Sequence, residues 1–249
     1  MSDALRLFGL NAVVTEAAAG IGEAVVRTFV KHGASVLAVD SASSGIDTHF
    51  KGVRNVRGLV LDLSSAGVAA RLVEAAESEL GGLDILVNNF DWQTESPIND
   101  TDDNALQFLL RNVTGRMSEL CEAALQPMQK SPAGRMINIG CVRSVFGKKG
   151  ANAYATSQAG IASLTAKLAA RFGEFGITVN YLQPGAVMTP VSRRVFAADK
   201  ELRDLCIRGS AAKRLGEPVD IAKVVLFLAT DDSVFVSGTG IVADGGSAK

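Results

Sequence analysis

The stretch Thr15-Glu16-Ala17-Ala18-Ala19-Gly20-Ile21-Gly22 decides the fold, because it joins a short apolar run, Ala12–Thr15, to a segment of helical period. In that segment the apolar residues lie on one face of a helix that begins near Gly20. A glycine-rich turn between a strand and a helix can bring backbone N–H groups and the helix N-terminus against a pyrophosphate. The same glycines also suit an ordinary tight turn, so on their own they indicate only the turn.

The alternation of strand and helix continues to the end of the chain. Short β-branched apolar runs predict seven strands, which are Ala12–Thr15, Ser35–Asp40, Val56–Asp62, Asp84–Asn88, Arg135–Gly140, Thr178–Gln183 and Gly240–Ala243. Helices are predicted to begin near Gly20, Ser65, Asp102, Asn152, Val191 and Asp220. Runs such as Ile85-Leu86-Val87 are apolar at consecutive positions, which is typical of strands covered by helices on both faces. The pattern predicts an α/β fold, a single-domain Rossmann-like doubly wound parallel seven-stranded sheet over residues 1–249.

Composition narrows the class of partner. The 249 residues include 25 basic and 26 acidic side chains, so no overall field draws the chain to nucleic acid or to an anionic membrane. Cys121, Cys141 and Cys206 are widely spaced and show no metal-ligand spacing, which favours a reducing, cytoplasmic setting without a metal site. The N-terminus lacks the pattern of a signal peptide, and no apolar run reaches membrane-spanning length.

Several motifs then occur in the order and spacing of one known family. They are Thr15-x-x-x-x-Gly20-Ile21-Gly22, Asn88-Asn89, Asn112, Tyr154 and Pro184-Gly185. Together they resemble the motifs of classical short-chain dehydrogenases/reductases, and the resemblance covers nearly the whole chain. The C-terminal segment from Arg214-Leu215-Gly216-Glu217-Pro218 to Asp244-Gly245-Gly246 is similar to the β-ketoacyl-carrier-protein reductase branch.

The resemblance implies a binding site for NAD. Its residues would be Thr15, Glu16, Gly20, Ile21, Gly22, Asp40, Asp62, Asn88, Pro184, Gly185 and Thr189. By this resemblance Asp40 binds the adenosine ribose hydroxyls and disfavours a 2′-phosphate. Asp62 then lies near the adenine, and Thr189 touches the nicotinamide carboxamide.

Two departures from the family pattern affect this cofactor site. Glu16 stands where the family has glycine, and Phe90-Asp91 stands where it has Ala-Gly. A carboxylate about 5 Å from a pyrophosphate costs on the order of a few kcal/mol at an effective dielectric near 20. We therefore expect that this chain binds no NAD tightly and that an active partner subunit carries it. The alternative is that loop adjustments absorb both changes.

Two further departures affect catalysis. The family uses Asn, Ser, Tyr and Lys; Asn112 and Tyr154 match, whereas Cys141 replaces Ser and Gln158 replaces Lys. A lysine one helical turn after the tyrosine favours the phenolate, and an amide supplies no such charge. A thiol is also a weaker hydrogen-bond donor to a substrate carbonyl than a hydroxyl.

Few other residues could replace the missing lysine charge or activate Cys141. Lys148 and Lys149, in the loop after the fifth predicted strand, are candidates for replacing the lost charge, although loop lysines are usually solvated. A nucleophilic Cys141 needs a base, and the two histidines, His32 and His49, lie in the nucleotide half of the chain. A buried structural cysteine is the default interpretation.

Three functions follow from this pattern. The leading one is a non-catalytic structural subunit in a heterotetramer with an active homologous dehydrogenase, with a homotetramer as the alternative. Such pairing resembles heteromeric family members such as the (hydroxybenzyl)succinyl-CoA dehydrogenase of anaerobic toluene degradation. The second is a slow NAD-dependent dehydrogenase that works through Tyr154. The third is a non-redox lyase similar to haloalcohol dehalogenases, which Gln158 and the retained Gly20 disfavour.

Overall fold

One sheet of seven parallel strands organises the chain. The computed structural model describes residues 5–90, 107, 110–140 and 151–247, and it describes side chains for all of these except 112 and 151–158. The strands are β1 (Asn11–Thr15), β2 (Ser35–Asp40), β3 (Val56–Val60), β4 (Ile85–Asn89), β5 (Arg135–Ile139), β6 (Thr178–Pro184) and β7 (Gly240–Ala243). They lie in the order β3-β2-β1-β4-β5-β6-β7, and each neighbouring pair is parallel. The predicted fold class is confirmed.

Helices connect these strands. They are α1 (Gly20–Lys31), α2 (Ile46–His49), α3 (Val68–Leu80), α4 (Arg116–Met128), α5 (Ala151–Phe172), α6 (Pro190–Ala198), α7 (Lys200–Gly209) and α8 (Pro218–Ala229). A π-helical turn, Leu110–Gly115, precedes α4. The predicted start near Asp102 lies outside the described residues.

Most predicted boundaries agree with the structure to within two residues, and the start near Ser65 is wrong. The Ser65 amide donates to the Asp62 carbonyl at 3.1 Å, so this segment is a turn and α3 begins only at Val68. The same turn ends β3 at Val60, before the predicted Asp62.

Helices cover both faces of the sheet. Alternate strand residues point to opposite faces, as Ala12 and Val14 do against Val13 in β1. The first face packs against α1 and α8, where Phe29 and Val225 are buried. The second packs against α3, α4 and α5. Inner strands such as β4 and β5 are therefore buried on both sides, as the consecutive apolar runs indicated, whereas the edge strands β3 and β7 are partly exposed.

The strand order reverses at β1, which has β2 on one side and β4 on the other. Connections leave this point in opposite directions, so a crevice opens at the carboxyl ends of β1 and β4, where ligands bind in open α/β sheets. The Thr15 hydroxyl holds these ends together. It accepts a hydrogen bond from the Asn89 amide at 2.9 Å and donates to the Val87 carbonyl at 3.5 Å.

Candidate active site

A cleft of about 590 Å³ occupies the carboxyl edge of the sheet. Its volume lies within the range of small-molecule sites. The predicted cofactor residues that line it are Glu16, Gly20, Ile21, Asp40, Asp62, Pro184, Gly185 and Thr189. Its apolar wall consists mainly of Leu61, Leu63, Phe90, Val191, Val195, Phe196 and Leu202. The structure thus brings together eight residues that the sequence placed at one site.

The other three predicted cofactor residues lie behind the cleft and support it. Thr15 is fully buried and joins β1 to β4, as described above. A Cβ at Gly22 would lie 2.2 Å from the Glu16 carbonyl oxygen, so only glycine lets α1 pack this closely on the loop. Asn88 is buried and donates to the Asn138 side-chain oxygen at 2.9 Å.

Glu16 has the backbone conformation of a glycine. Its φ is +47°, in the left-handed region, which costs an L-residue roughly 1–2 kcal/mol. The Glu16 carbonyl accepts a hydrogen bond from the Asn89 side-chain amide at 3.2 Å, which helps to fix this geometry. The loop therefore keeps the shape of a glycine-rich turn, although residue 16, which lines the cleft, is a glutamate.

The N-terminus of α1 faces the same loop. Its N-cap residue, Ala19, provides no side-chain hydrogen bond, so the first-turn amides have no capping side chain. Gly20 has a φ of +59°, and a Cβ there would lie 3.3 Å from the Thr189 side chain. Uncapped amides at a helix N-terminus suit a pyrophosphate. The backbone thus fits a dinucleotide, and a carboxylate beside its pyrophosphate would oppose its charge.

Two aspartates border the cleft at the ends of β2 and β3. The Asp40 carboxylate accepts from the Ala18 amide at 2.9 Å and from the Ser41 amide at 2.7 Å. The Ser64 hydroxyl and amide both donate to Asp62, and they hold the pKa of that carboxyl below its usual value. Both carboxylates are oriented by the chain itself, with lone pairs left over for a ligand hydroxyl.

Phe90 takes up less of the cleft than its size implies. Its side chain is buried and packs in the apolar cluster between the sheet and α3–α5, while one part of it forms cleft wall. Most of the bulk that Phe90 adds in place of the family's alanine is thus packed into the core. Asp91, the other half of that substitution, lies outside the described residues.

Two of the predicted catalytic residues, Tyr154 and Gln158, fall on α5. Tyr154 and Gln158 lie four positions apart on this continuous helix, the spacing at which two residues share a face. Asn112 lies within the π-helical turn before α4, and such turns are frequent at functional sites. Cys141, Lys148 and Lys149 lie outside the described residues. The catalytic roles assigned from the resemblance stay predictions.

A buried polar network lies behind the cleft. The Asn88 amide donates to Asn138 and, at 3.3 Å, to the Cys121 sulfur, and the Asn138 amide donates to the Thr165 hydroxyl at 3.1 Å. Burial raises the pKa of the Cys121 thiol to about 12, because the thiolate is poorly solvated there. Cys121 is therefore an unreactive structural thiol.

Arg194 is a cleft residue that the sequence reasoning missed. It lines the cleft from α6 and, within the described part of the chain, it is the only basic residue that does so. A signal was present, because Val191, Arg194 and Val195 have the i, i+3, i+4 spacing of one helix face. All three line the cleft, whereas the neighbouring Arg193 does not.

The described residues contain neither a metal site nor a membrane-spanning helix. No group of three or more His, Cys, Asp or Glu side chains there has the arrangement of a metal site. In the same part of the chain, no helix has the length and apolar character needed to cross a membrane.

Comparison with known proteins gives the family. The family described as enoyl-(acyl carrier protein) reductase matches residues 17–248. The chain is 33% identical to the 3-oxoacyl-[acyl-carrier-protein] reductase FabG of Pseudomonas aeruginosa over 247 residues, which are 97% of this chain and 98% of that protein. The FabG proteins of Vibrio cholerae and Vibrio harveyi are 30% and 29% identical to it, each over 97% of this chain and 98% of the relative. The chain belongs to the classical short-chain dehydrogenases/reductases, an oxidoreductase family with an NAD(P)-binding fold, in the branch similar to β-ketoacyl-carrier-protein reductases.

Proposed function

We propose that this chain is a catalytically impaired short-chain dehydrogenase/reductase subunit that serves as the structural partner of an active NAD-dependent dehydrogenase. The observation that carries this proposal is the uncharged Gln158, four residues after Tyr154 on α5. No lysine lines the described part of the cleft. An unassisted phenol with a pKa of ~10 is ionised about one time in a thousand at pH 7, so forming the phenolate costs roughly 4 kcal/mol.

The cofactor binds weakly in this proposal. The α1 amides and the left-handed loop at residue 16 suit a pyrophosphate, and a bound NAD would accept the hydride that leaves the substrate alcohol. The Glu16 carboxylate acts against this fit. The chain is therefore proposed to hold NAD loosely, while a partner subunit holds it tightly.

The partner is proposed to be a homologous subunit in a heterotetramer, with a homotetramer as the alternative. The helices α4 and α5 are continuous in the structure. The substitutions at the catalytic positions have therefore not disrupted the surrounding fold, which supports a structural role. The substrate class of the assembly is proposed to be a hydroxyacyl-CoA. That part rests on the resemblance to heteromeric dehydrogenases alone.

A slow dehydrogenase is the second candidate function. The cleft favours it, since about 590 Å³ remains open at the carboxyl edge of the sheet and most of the bulk of Phe90 is turned into the core. In this case Tyr154 would transfer the proton without a neighbouring cation, and the rate would be low.

A triple variant tests the proposal. We expect Glu16→Gly, Cys141→Ser and Gln158→Lys together to raise hydride transfer from NADH to a 3-oxoacyl thioester by at least about 100-fold, the equivalent of ~2.7 kcal/mol in the barrier. The control carries Gln158→Met in place of Gln158→Lys, which fills the position without a charge. Wild-type turnover within about tenfold of the triple variant would instead support the slow dehydrogenase.

Purification from the native host tests the partnership. We expect the chain to elute together with a homologous, active dehydrogenase subunit. Recovery only as a homotetramer would contradict the paired-subunit proposal.

A further inference from the structure

The charged residues that line the cleft differ in whether other residues of the protein bind them. Those that line its described part are Glu16, Asp40, Asp62 and Arg194. Asp40 and Asp62 are each bound by backbone amides. Arg194 makes no hydrogen bond or ion pair with any residue in the described ranges, and its side chain is exposed at the mouth of the cleft. Among the described residues, the cleft thus has an acidic wall and one cation without a partner.

The position of α6 places Arg194 near the glycine-rich turn that precedes α1. The first residue before α6, Thr189, touches Gly20, so the start of α6 lies directly against the turn that precedes α1. Arg194 follows five residues later and shares a face with Val191, which also lines the cleft. A guanidinium on a long side chain can reach across this short span and bind a phosphate in a bidentate manner.

We propose that Arg194 binds the diphosphate of a nucleotide held in the cleft and thereby offsets the charge of Glu16. This inference rests on the proposed weak binding of a dinucleotide. A diphosphate placed on the α1 amides has Glu16 on one side, and within the described cleft Arg194 is the only side chain that offers it a positive charge. Arg194 therefore preserves the affinity that remains after the loss of the loop glycine.

Arg193 provides a matched control. It is the same residue type on the same helix, it is also exposed, and it does not line the cleft. Changing either arginine to glutamine removes one positive charge from α6 and leaves a residue of similar helix propensity. Any difference between the two variants therefore reports the position of the charge rather than the net charge of the protein.

The experiment compares Arg194→Gln and Arg193→Gln with the wild type by calorimetric titration, with NADH, ADP, coenzyme A and adenosine as probes. We expect Arg194→Gln to raise the Kd for NADH and for ADP about five- to tenfold, while adenosine binding stays unchanged because it has no phosphate. Arg193→Gln should change each Kd by less than about twofold. The effect of Arg194→Gln should shrink between about 50 mM and 500 mM NaCl, because salt screens exposed charges.

Four results would overturn the inference. Equal NADH and ADP affinities in the wild type and Arg194→Gln would do so and would leave the proposed function standing. An equal loss of adenosine binding would show that Arg194 acts through packing. A loss of coenzyme A binding with ADP unchanged would assign Arg194 to a phosphate on the acyl carrier. A wild type that binds neither NADH nor ADP would remove the inference together with the proposed nucleotide binding.

Discussion

Replacing Glu16 with glycine should make the protein more stable than replacing it with alanine, and it should strengthen NADH binding. Glu16 has a φ of +47°, a conformation that costs an L-residue roughly 1–2 kcal/mol and glycine almost nothing. Glycine also gains about 0.4–1 kcal/mol of chain entropy in the unfolded state, which partly offsets this advantage. We expect Glu16→Gly to be about 0.5–1 kcal/mol more stable than Glu16→Ala, which lacks the same side-chain contacts, or to melt about 1–4 °C higher for a chain of this size.

The gain in NADH affinity comes from removing the negative charge of the Glu16 carboxylate. At about 5 Å, one unit charge repels another by about 0.8 kcal/mol at a dielectric of 80 and by about 3 kcal/mol at 20. Glu16 is partly exposed, so an intermediate value of about 1.5 kcal/mol applies, equivalent to about a tenfold lower Kd. Thermal unfolding followed by circular dichroism and titration with NADH measure the two effects.

Glu16→Gln separates backbone from charge. Glutamine keeps the strained backbone and removes the carboxylate, so it should gain affinity without gaining stability. A Glu16→Gly protein that melts below Glu16→Ala would refute the left-handed conformation of residue 16, because both variants lack the same side-chain contacts. Unchanged NADH binding in both variants would refute the position of the carboxylate beside the pyrophosphate.

Two more predictions concern stability. Gly22→Ala should lower the free energy of urea unfolding by about 3 kcal/mol, because its Cβ would lie 2.2 Å from the Glu16 carbonyl oxygen. Gly209→Ala is the control: a Cβ there would have no atom within 4 Å, so this variant should be neutral or slightly stabilising. Equal effects of the two changes would contradict the close packing of α1 on the loop. Hydrogen bonds from Ser64 to Asp62 and from Arg214 to Asp220 lower the pKa of both carboxyls below 3.8, so the stability they contribute is present above about pH 4 and is lost as the pH falls through the folded values. Asp62→Asn with Asp220→Asn should therefore flatten the decline of the urea midpoint between pH 4 and pH 2, and an unchanged slope would refute these assignments.

The fold could be predicted because the pattern that specifies it is local. Consecutive apolar residues indicated strands covered on both faces, and the two core clusters on opposite sides of the sheet confirm it. Less was predictable where one side chain ends an element. The segment 190–209 forms two helices because the Asp199 side chain accepts from the Leu202 amide and starts α7, which hydrophobic period alone does not reveal.

The cleft was predictable only in part, for a similar reason. The glycine spacing identified the loop, but Arg194 enters the site through the contact between Thr189 and Gly20, which are far apart in the chain. The burial of Phe90 likewise depends on packing against α3–α5. Local spacing thus identified the phosphate-facing turn, while the charge and shape of the opposite wall depended on tertiary contacts.

The hydrogen bond between the Asn89 amide and Thr15 can form only after β4 has been synthesised, so the pairing of β1 with β4 is delayed. The two residues are 74 positions apart, and translation at ~5–20 residues per second takes about 4–15 s to cover that span. Until then β1 has β2 available on one side and an unpaired edge on the other. An unpaired parallel edge is prone to aggregation, so the nascent chain is most vulnerable on the ribosome in the seconds before β4 emerges.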